Sequence, residues 1–181
     1  AYSIDLGFFE VDKEVEQNTF TALKKFESLG CQVTEVKLNW KKDEVNSVCF
    51  SHYANSFYKE ISELSDSEKE HLSDYTKMFS SITEMHIDSL RNNKKIYHEQ
   101  IGAHLGYGVE ESAMVTGKMY EEIGPILEKY DLFICPTNAL PAIKADIDIV
   151  NDHVIINGKK QECADFAWCM SHPFNLSLIH I

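Results

Sequence analysis

Basic residues are scarce in this chain, and their scarcity argues against one class of partner. Its 181 residues carry 17 Lys and Arg against 29 Asp and Glu, which gives a formal net charge of −12 at pH 7. A field of this sign repels phosphate backbones and anionic lipid headgroups. We therefore expect no nucleic acid and no membrane surface among the partners.

Long apolar runs are also missing. No stretch approaches the roughly 20 apolar residues that cross a bilayer, and the amino terminus has neither an initiator Met nor a basic segment that leads into an apolar one. We expect the chain to begin inside a longer reading frame or to have been processed. No repeat, low-complexity tract or Gly/Ser linker divides residues 1–181, so one domain or a large piece of one is expected.

Paired cysteine motifs are absent as well. The five cysteines make an odd number with no CxxC pair, which is typical of reduced thiols in a cytoplasmic protein. Cys163, Cys169 and His172 offer soft metal ligands, but their spacing matches no zinc-finger pattern and no fourth ligand is evident. We therefore expect no metal site.

The first pattern that the sequence does contain is strand, helix, strand. Residues 2–6 predict a strand that ends at Gly7, and Asp12 can cap a helix that runs to Leu29 and stops at Gly30. Residues 31–38 are rich in β-branched residues and predict a second strand. Two strands joined by a helix pair in parallel through a right-handed crossover. The pattern predicts an α/β fold.

Residues 43–129 show helical periodicity with few breaks. Ser65 followed by Glu68 predicts a capping box, and Pro125 predicts a kink or restart late in the last helix. The acidic stretch 62–74 is either a binding tail or a solvated junction between helices, and we favour the junction. No two histidines of this region are four residues apart, so most of them are expected at the surface or its boundary. Three apolar stripes carry the periodicity: Val45, Val48, Cys49, Tyr53, Phe57, Ile61 and Leu64; Leu72, Tyr75, Phe79 and Ile82; and Val109, Ala113, Thr116, Tyr120, Ile123 and Leu127.

The last third predicts a strand end and a hairpin. Residues 132–135 are apolar between Asp131 and Pro136 and predict a short strand that is buried on both faces. Ligands of open parallel sheets bind beyond the carboxyl ends of strands, which is where Thr137 and Asn138 stand. The pair Asn157-Gly158 is typical of a type I′ turn. It predicts a hairpin with arms 154–156 and 161–163, with an irregular surface loop as the alternative.

Three segments carry a resemblance to a known family. They are AYSIDLGFFEVDKEVEQ at residues 1–17, YDLFICPT at 130–137 and WCMSHPFNLS at 168–177. In this order and spacing they resemble the carboxyl-terminal part of amidase signature hydrolases, where a YD-apolar-PT stretch precedes a PFN-apolar-Ser/Thr segment. The resemblance implies an α/β fold in which the chain forms part of a mixed, largely parallel sheet covered by helices.

The resemblance also implies a chemistry that this chain cannot perform alone. The family hydrolyses amides through a Ser-cisSer-Lys triad, whose residues lie upstream of the point matched by Ala1. No Gly/Ser-rich run of the kind that holds the two serines occurs here. The resemblance therefore implies no catalytic residue in this chain, no cofactor and a small-molecule amide as substrate. A homodimer is compatible with it.

Three residues are expected near that substrate. Thr137 and Asn138 stand at the predicted strand end, and Asn175 lies in the matched PFN segment. Asn175 has an alternative reading as a turn residue that bonds to its own backbone. Where the family continues with Gly, an apolar residue and Pro, this chain has LIHI at residues 178–181. Either the native frame is lost there or the chain ends on foreign residues.

Two functions from different classes remain open. The first is a piece of a serine amidohydrolase, or of the related glutamine-hydrolysing subunit of a transamidation complex. The second is a stand-alone, non-catalytic α/β interaction domain that binds a partner through its helical region. Upstream sequence separates them, because only the first requires a lysine and a Gly/Ser-rich run with two serines.

Overall fold

Six α-helices organise the protein, for which a computed structural model describes residues 1–148, 150–161 and 164–176. The predicted terminal tail 178–181 and the residues Cys163 and Ser177 lie outside the described residues. The helices are α1 (Lys13–Ser28), α2 (Lys42–Ser62), α3 (Asp66–Glu70), α4 (Asp74–Arg91), α5 (Val109–Lys129) and α6 (His172–Asn175). The strands are β1 (Ile96–His98), β2 (Ala103–Leu105), β3 (Ile155–Ile156) and β4 (Lys159–Lys160), and 3-10 turns form at Glu99–Ile101 and Ala164–Ala167.

The first helix begins and ends where the sequence predicts. The Asp12 carboxylate accepts a hydrogen bond from the Glu14 amide at 2.8 Å, which satisfies one of the free donors of the first turn. After Ser28 the chain reverses through Gly30, whose φ of +89° lies in the left-handed region. The predicted cap and stop of this helix are both confirmed.

Parallel contacts join three segments around Tyr2. The Tyr2 amide donates to the Thr34 carbonyl and the Val36 amide donates to the Tyr2 carbonyl, both at 2.9 Å. On the other side, Ser3 donates to the Ile134 carbonyl at 3.0 Å. Tyr2 is thus bridged in parallel to both Glu35 and Ile134, and the predicted neighbours and their direction are confirmed.

These contacts are single bridges rather than the predicted strands of several residues. The first segment turns away early, because Leu6 and Gly7 adopt φ values of 51° and 89°. Among the described residues, the named strands form two antiparallel pairs, β1 with β2 and β3 with β4. A mixed, largely parallel sheet is therefore not seen in this chain by itself.

Residues 132–135 depart from the prediction of a strand that is buried on both faces. Leu132 is 60% exposed, whereas Phe133 packs against the core. The backbone of Ile134 makes the parallel bridge to Tyr2. Only one face of this segment is covered by the core, whereas the apolar sequence predicted burial of both faces.

The helical middle is interrupted by a hairpin that periodicity did not predict. Strands β1 and β2 pair antiparallel with Ile96 opposite Leu105 and His98 opposite Ala103. Gly102 and Gly106 adopt φ values of 55° and 85°, which a continuing helix cannot accommodate. The acidic stretch 62–74 is an exposed junction, as expected. Within it the Glu68 carboxylate accepts from the Ser65 amide at 2.8 Å, in the predicted capping box.

Helix α2 lies at the centre of the packing and holds this hairpin through buried polar groups. The Ser47 hydroxyl accepts from the His104 amide at 2.8 Å, and the Ser51 hydroxyl donates to the Tyr107 carbonyl at 2.9 Å. The Phe50 ring packs beside α4, 5.3 Å from the Phe79 ring. Buried polar groups need such partners, so the polar side of α2 fixes the hairpin while its apolar side forms the core.

The structure refines several further predictions. The Asn157-Gly158 turn is present, with φ values of 51° and 78°, but the second arm starts at Lys159, directly after the turn. The Gln161 amide still donates to the Val154 carbonyl at 2.7 Å, as the predicted arms require, and residues 162–163 of the second arm lie outside the described residues.

Helix α5 passes through Pro125 and continues to Lys129, so the predicted restart does not occur. The alternative of a kink at Pro125 stays a prediction. The expectation that most histidines of this region lie at the surface or its boundary is confirmed, since His52 and His71 are exposed and His98 and His104 are half-buried. His86 is the exception and is fully buried.

Candidate functional site

Two of the sequence segments that carry the resemblance lie side by side. The Ala139 amide donates to the Trp168 carbonyl at 2.8 Å, and the Met170 amide donates to the Thr137 carbonyl at 3.1 Å. Asn138 forms the antiparallel bridge with Cys169 between them. Thr137 and Asn138 therefore lie beside the turn that precedes α6.

Asn175 belongs to the same region through a different contact. It lies on α6, and its side-chain amide donates a hydrogen bond to the Tyr53 hydroxyl of α2 at 2.9 Å. This contact favours a role in joining two elements over the alternative of a turn residue that bonds to its own backbone. Thr137 and Asn138 thus contact the segment 168–175, and Asn175 belongs to that segment.

The turn between Cys169 and His172 concentrates reactive side chains. The Cys169 Sγ lies 3.4 Å from the Ser171 Oγ. Burial alone raises the pKa of the Cys169 thiol, but its interactions with the His172 imidazole and the Ser171 hydroxyl together bring that pKa below the ordinary value. Cys49 differs: burial and the nearby charge of Cys169 both raise the pKa of its thiol. Cys169 is therefore the more readily ionised of these two thiols.

A cavity of about 500 Å³ opens beside this turn. Two helices form most of its wall, because α2 presents residues at i, i+4 and i+8 on one face and α4 presents a matching turn. Six aromatic side chains line it, namely Tyr53, Phe57, Tyr75, Phe79, Phe166 and His172. Ile61 of α2 and Thr76 of α4 complete the described lining.

His172, the first residue of α6, forms one end of the cavity. Its ring lies edge-on between Tyr53 and Phe166, with centroid distances of 5.5 Å and 5.0 Å. Its Nδ1 atom is buried and finds no hydrogen-bond partner among the described residues. A buried polar atom in this state is disfavoured unless a ligand or water pairs with it.

The sequence contained these residues without revealing their arrangement. Tyr53, Phe57 and Ile61 belong to the predicted apolar stripe of α2, a pattern typical of a core-facing helix, but Phe57 is 47% exposed. The signal that was available is the length of the stripe, which continues to the end of α2. Its amino-terminal half supplies the core, as Val45, Val48 and Cys49 show, and its later half lines the cavity.

Neither a metal centre nor a membrane-spanning helix is found in the described part of the chain. Within the described ranges, no group of three His, Cys, Asp or Glu side chains is placed to hold a metal ion. The cysteine at 163, which the sequence pairs with Cys169 and His172, lies outside those ranges. No helix in the described part of the chain combines the length and apolar character that a bilayer span requires.

Comparison with known proteins gives two positive findings. A family model described as Amidase matches residues 1–168. The fold is similar to a crystal structure of a bacterial aryl acylamidase of the amidase signature enzymes, with a TM-score of 0.65 and 17% sequence identity. This match covers 97% of the present chain and 34% of the other, so the chain spans about a third of that enzyme's length. No curated protein sequence matches the chain.

Proposed function

The chain belongs to the amidase signature family, and from this membership we propose that it is part of an enzyme that hydrolyses a carboxamide to an acid plus an amine or ammonia. The observation that carries the proposal is the family match over residues 1–168. The similar fold of an amidase signature enzyme supports it. The proposal is favoured over a stand-alone interaction domain because the match extends across nearly the whole chain.

The proposed chemistry is acyl transfer to a serine. A neutral lysine withdraws a proton through a bridging serine, and the second serine attacks the amide carbonyl while backbone amides stabilise the oxyanion. The C–N bond breaks, the amine leaves with a proton, and water attacks the acyl-serine to release the acid. We place these groups outside residues 1–181, which form one partial domain of the enzyme.

This chain then supplies part of the substrate site rather than the nucleophile. Thr137, Asn138 and Asn175 are proposed to lie near the substrate, since the first two contact the segment 168–175 beside the cavity and Asn175 belongs to it. The parallel bridges at Tyr2 are proposed to belong to a mixed, largely parallel sheet of the complete enzyme. No metal or cofactor enters the proposed reaction.

The proposed location is the cytoplasm. The described cysteines, Cys31, Cys49, Cys135 and Cys169, are free thiols, as a reducing compartment requires. The proposed partner is a small amide, and the net charge of −12 argues against nucleic acid. A homodimer is compatible with these features.

Two measurements test the proposal together. The purified 181-residue chain should release no amine or ammonia from simple carboxamides, because one pocket must hold nucleophile, base and oxyanion donors. The coding sequence upstream should contain a lysine and a Gly/Ser-rich run with two serines, and the longer protein should hydrolyse an amide until the second serine is replaced by Ala. Turnover by the short chain that survives repurification, or an upstream sequence without these residues, would reject the proposal.

A further inference from the structure

The cavity between α2 and α4 has the composition of a site for an aromatic ring. Its wall includes the rings of Tyr53, Phe57, Tyr75, Phe79 and Phe166, and none of the described side chains that line it is Asp, Glu, Lys or Arg. Aromatic side chains contact ligand rings through offset-stacked and edge-to-face geometries. A volume of about 500 Å³ falls within the range of pockets that enclose small organic ligands.

The net charge of the chain limits the charge that a ligand can carry. Its net charge of −12 disfavours an anionic ligand such as a carboxylate. A cationic ligand finds no carboxylate among the described lining residues to pair with it. A neutral ligand meets no repulsion from this charge and needs no charged partner in the cavity wall.

The imidazole of His172 at one end of the cavity indicates which functional group the aromatic ligand carries. The Nδ1 atom of His172 is buried and has no hydrogen-bond partner among the described residues, and the imidazole lines the cavity. A carboxamide can pair with an imidazole nitrogen in either tautomer, since it carries both an N–H donor and a carbonyl acceptor. An apolar hydrocarbon would leave this atom unpaired.

The position of the cavity connects it with the predicted site residues. Tyr53 lines the cavity and accepts the hydrogen bond from Asn175. His172 lies three residues after Cys169, which is bridged to Asn138. The wall of the cavity and the segments with the predicted site residues are therefore parts of one packed unit.

We propose that this cavity binds the aromatic ring of a small neutral carboxamide, with the amide group beside His172. This inference rests on the proposed amidase function and adds a substrate class, the aromatic carboxamides. The ring occupies the space between Phe57 and Phe79, and the amide satisfies the Nδ1 atom. Small aliphatic amides lack the ring and bind the chain weakly.

Calorimetric titration of the 181-residue chain with benzamide, 2-naphthamide and acetamide tests the proposal. The two aromatic amides should bind saturably, at least about tenfold tighter than acetamide, since one stacked ring contributes on the order of a tenfold gain in affinity. Equal and non-saturable heats for all three compounds would overturn it.

Two variants and a matched control locate the binding. Phe57→Ala removes a ring from the cavity wall and should weaken 2-naphthamide binding about tenfold. Ile61→Trp fills the cavity and should weaken binding at least as much. Tyr97→Ala is the control, because Tyr97 is 49% exposed against 47% for Phe57 and does not line the cavity. The proposal fails if binding is unchanged in Ile61→Trp, or if Tyr97→Ala and Phe57→Ala weaken binding equally in chains that unfold at similar temperatures.

A separate measurement tests the proposed contact between the ligand amide and the His172 imidazole. His172→Phe keeps a ring at the end of the cavity but removes the nitrogen atoms. The preference for 2-naphthamide over the methyl ester of the same acid should fall from several-fold to none, since the ester lacks the N–H donor. An unchanged preference would reject the place of the amide beside His172.

Failure of this inference is distinguishable from failure of the proposed function. If the longer protein hydrolyses acetamide and benzamide equally and the short chain binds neither, the amidase function stands and the aromatic site is rejected. If the short chain binds 2-naphthamide through Phe57 while the longer protein hydrolyses no amide, the site stands and the function is rejected.

Discussion

The side-chain amide of Asn175 donates a hydrogen bond to the hydroxyl of Tyr53 at 2.9 Å, across 122 residues of sequence. The bond joins the short helix α6 to the long central helix α2. Because α6 has only four residues, it cannot be stable alone and depends on such contacts.

We expect the Asn175–Tyr53 bond to contribute about 0.5–1.5 kcal/mol to stability. Asn175→Ala and Tyr53→Phe should each lower the free energy of unfolding, and the double variant should lose less than the sum of the two. Chemical denaturation of the four proteins measures this coupling. Strict additivity would show that the two groups do not interact, and Asn92→Ala, in an exposed helix end, provides a control without coupling to Tyr53.

A second prediction concerns acid stability through His86. Burial, with a smaller contribution from the positive charge of Lys95, lowers the pKa of His86 to about 4. The unfolded state, with a pKa near 6.5, therefore binds the proton first, and stability should fall as the pH drops from about 6.5 towards 4. The full loss is on the order of 3 kcal/mol. Denaturation midpoints measured between pH 7 and 4.5 test this.

Above pH 4.5, the effect of His86 on stability can be distinguished from the effects of the carboxylates. Hydrogen bonds lower the pKa of Glu68 and of Asp148, so their contributions to stability are lost only below their ordinary values near 4.5 and 3.8. His86→Gln should flatten the slope between pH 6.5 and 4.5. Burial also lowers the pKa of His98, so His98→Gln is the matched variant, with a smaller effect of the same sign. A slope in His86→Gln as steep as in the unchanged chain would contradict the assignment.

Gly7 and Gly30 offer a matched pair for backbone strain. Both have a φ of +89°, but a Cβ atom on Gly7 would lie within 2.2 Å of the Leu38 carbonyl oxygen, whereas one on Gly30 would meet nothing within 4 Å. We expect Gly30→Ala to cost about 1–2 kcal/mol, the strain of the left-handed conformation alone, and Gly7→Ala to cost clearly more. Similar losses in thermal and chemical denaturation would contradict the close approach.

The apolar surface beside the parallel bridges predicts association. Leu132 is 60% exposed and lines a groove with Phe26 and Ile134. Exposed apolar patches and strand edges promote aggregation, and physiological salt screens the repulsion from the net charge beyond about 8 Å. The folded chain should bind hydrophobic dyes and self-associate, and Leu132→Gln should reduce both more than Val109→Gln does. A chain that stays monomeric and binds no dye would contradict this.

Local chemistry explains which parts of the fold the sequence predicted. Asp12, Ser65 and the Asn157-Gly158 pair act on their immediate neighbours, so the first helix, the capping box and the turn were predictable from a few residues each. The parallel neighbours of Tyr2 followed from the order of strand, helix and strand. The family resemblance is confirmed by the match over residues 1–168.

What escaped prediction depends on contacts between distant residues. The hairpin of β1 and β2 is held by Ser47 and Ser51 of α2 rather than by its own periodicity. His86 is buried because Gly106 and Phe50 pack around it. The cavity is lined by residues from two helices and from the distant turn at Phe166 and His172, and no single stripe records which residues face it. The place of Thr137, Asn138 and Asn175 near a substrate stays a prediction.

The bridges at Tyr2 also impose an order on synthesis. Ser3 pairs with Ile134, which leaves the ribosome 131 residues later, and Ala1 donates to Leu132 over the same separation. At about 5–20 residues per second, the amino-terminal segment waits on the order of ten seconds for this partner. During that time it can pair on the other side with residues 34–36, which emerge early. The nascent chain is therefore expected to carry a half-formed β edge while residues 37–131 are synthesised.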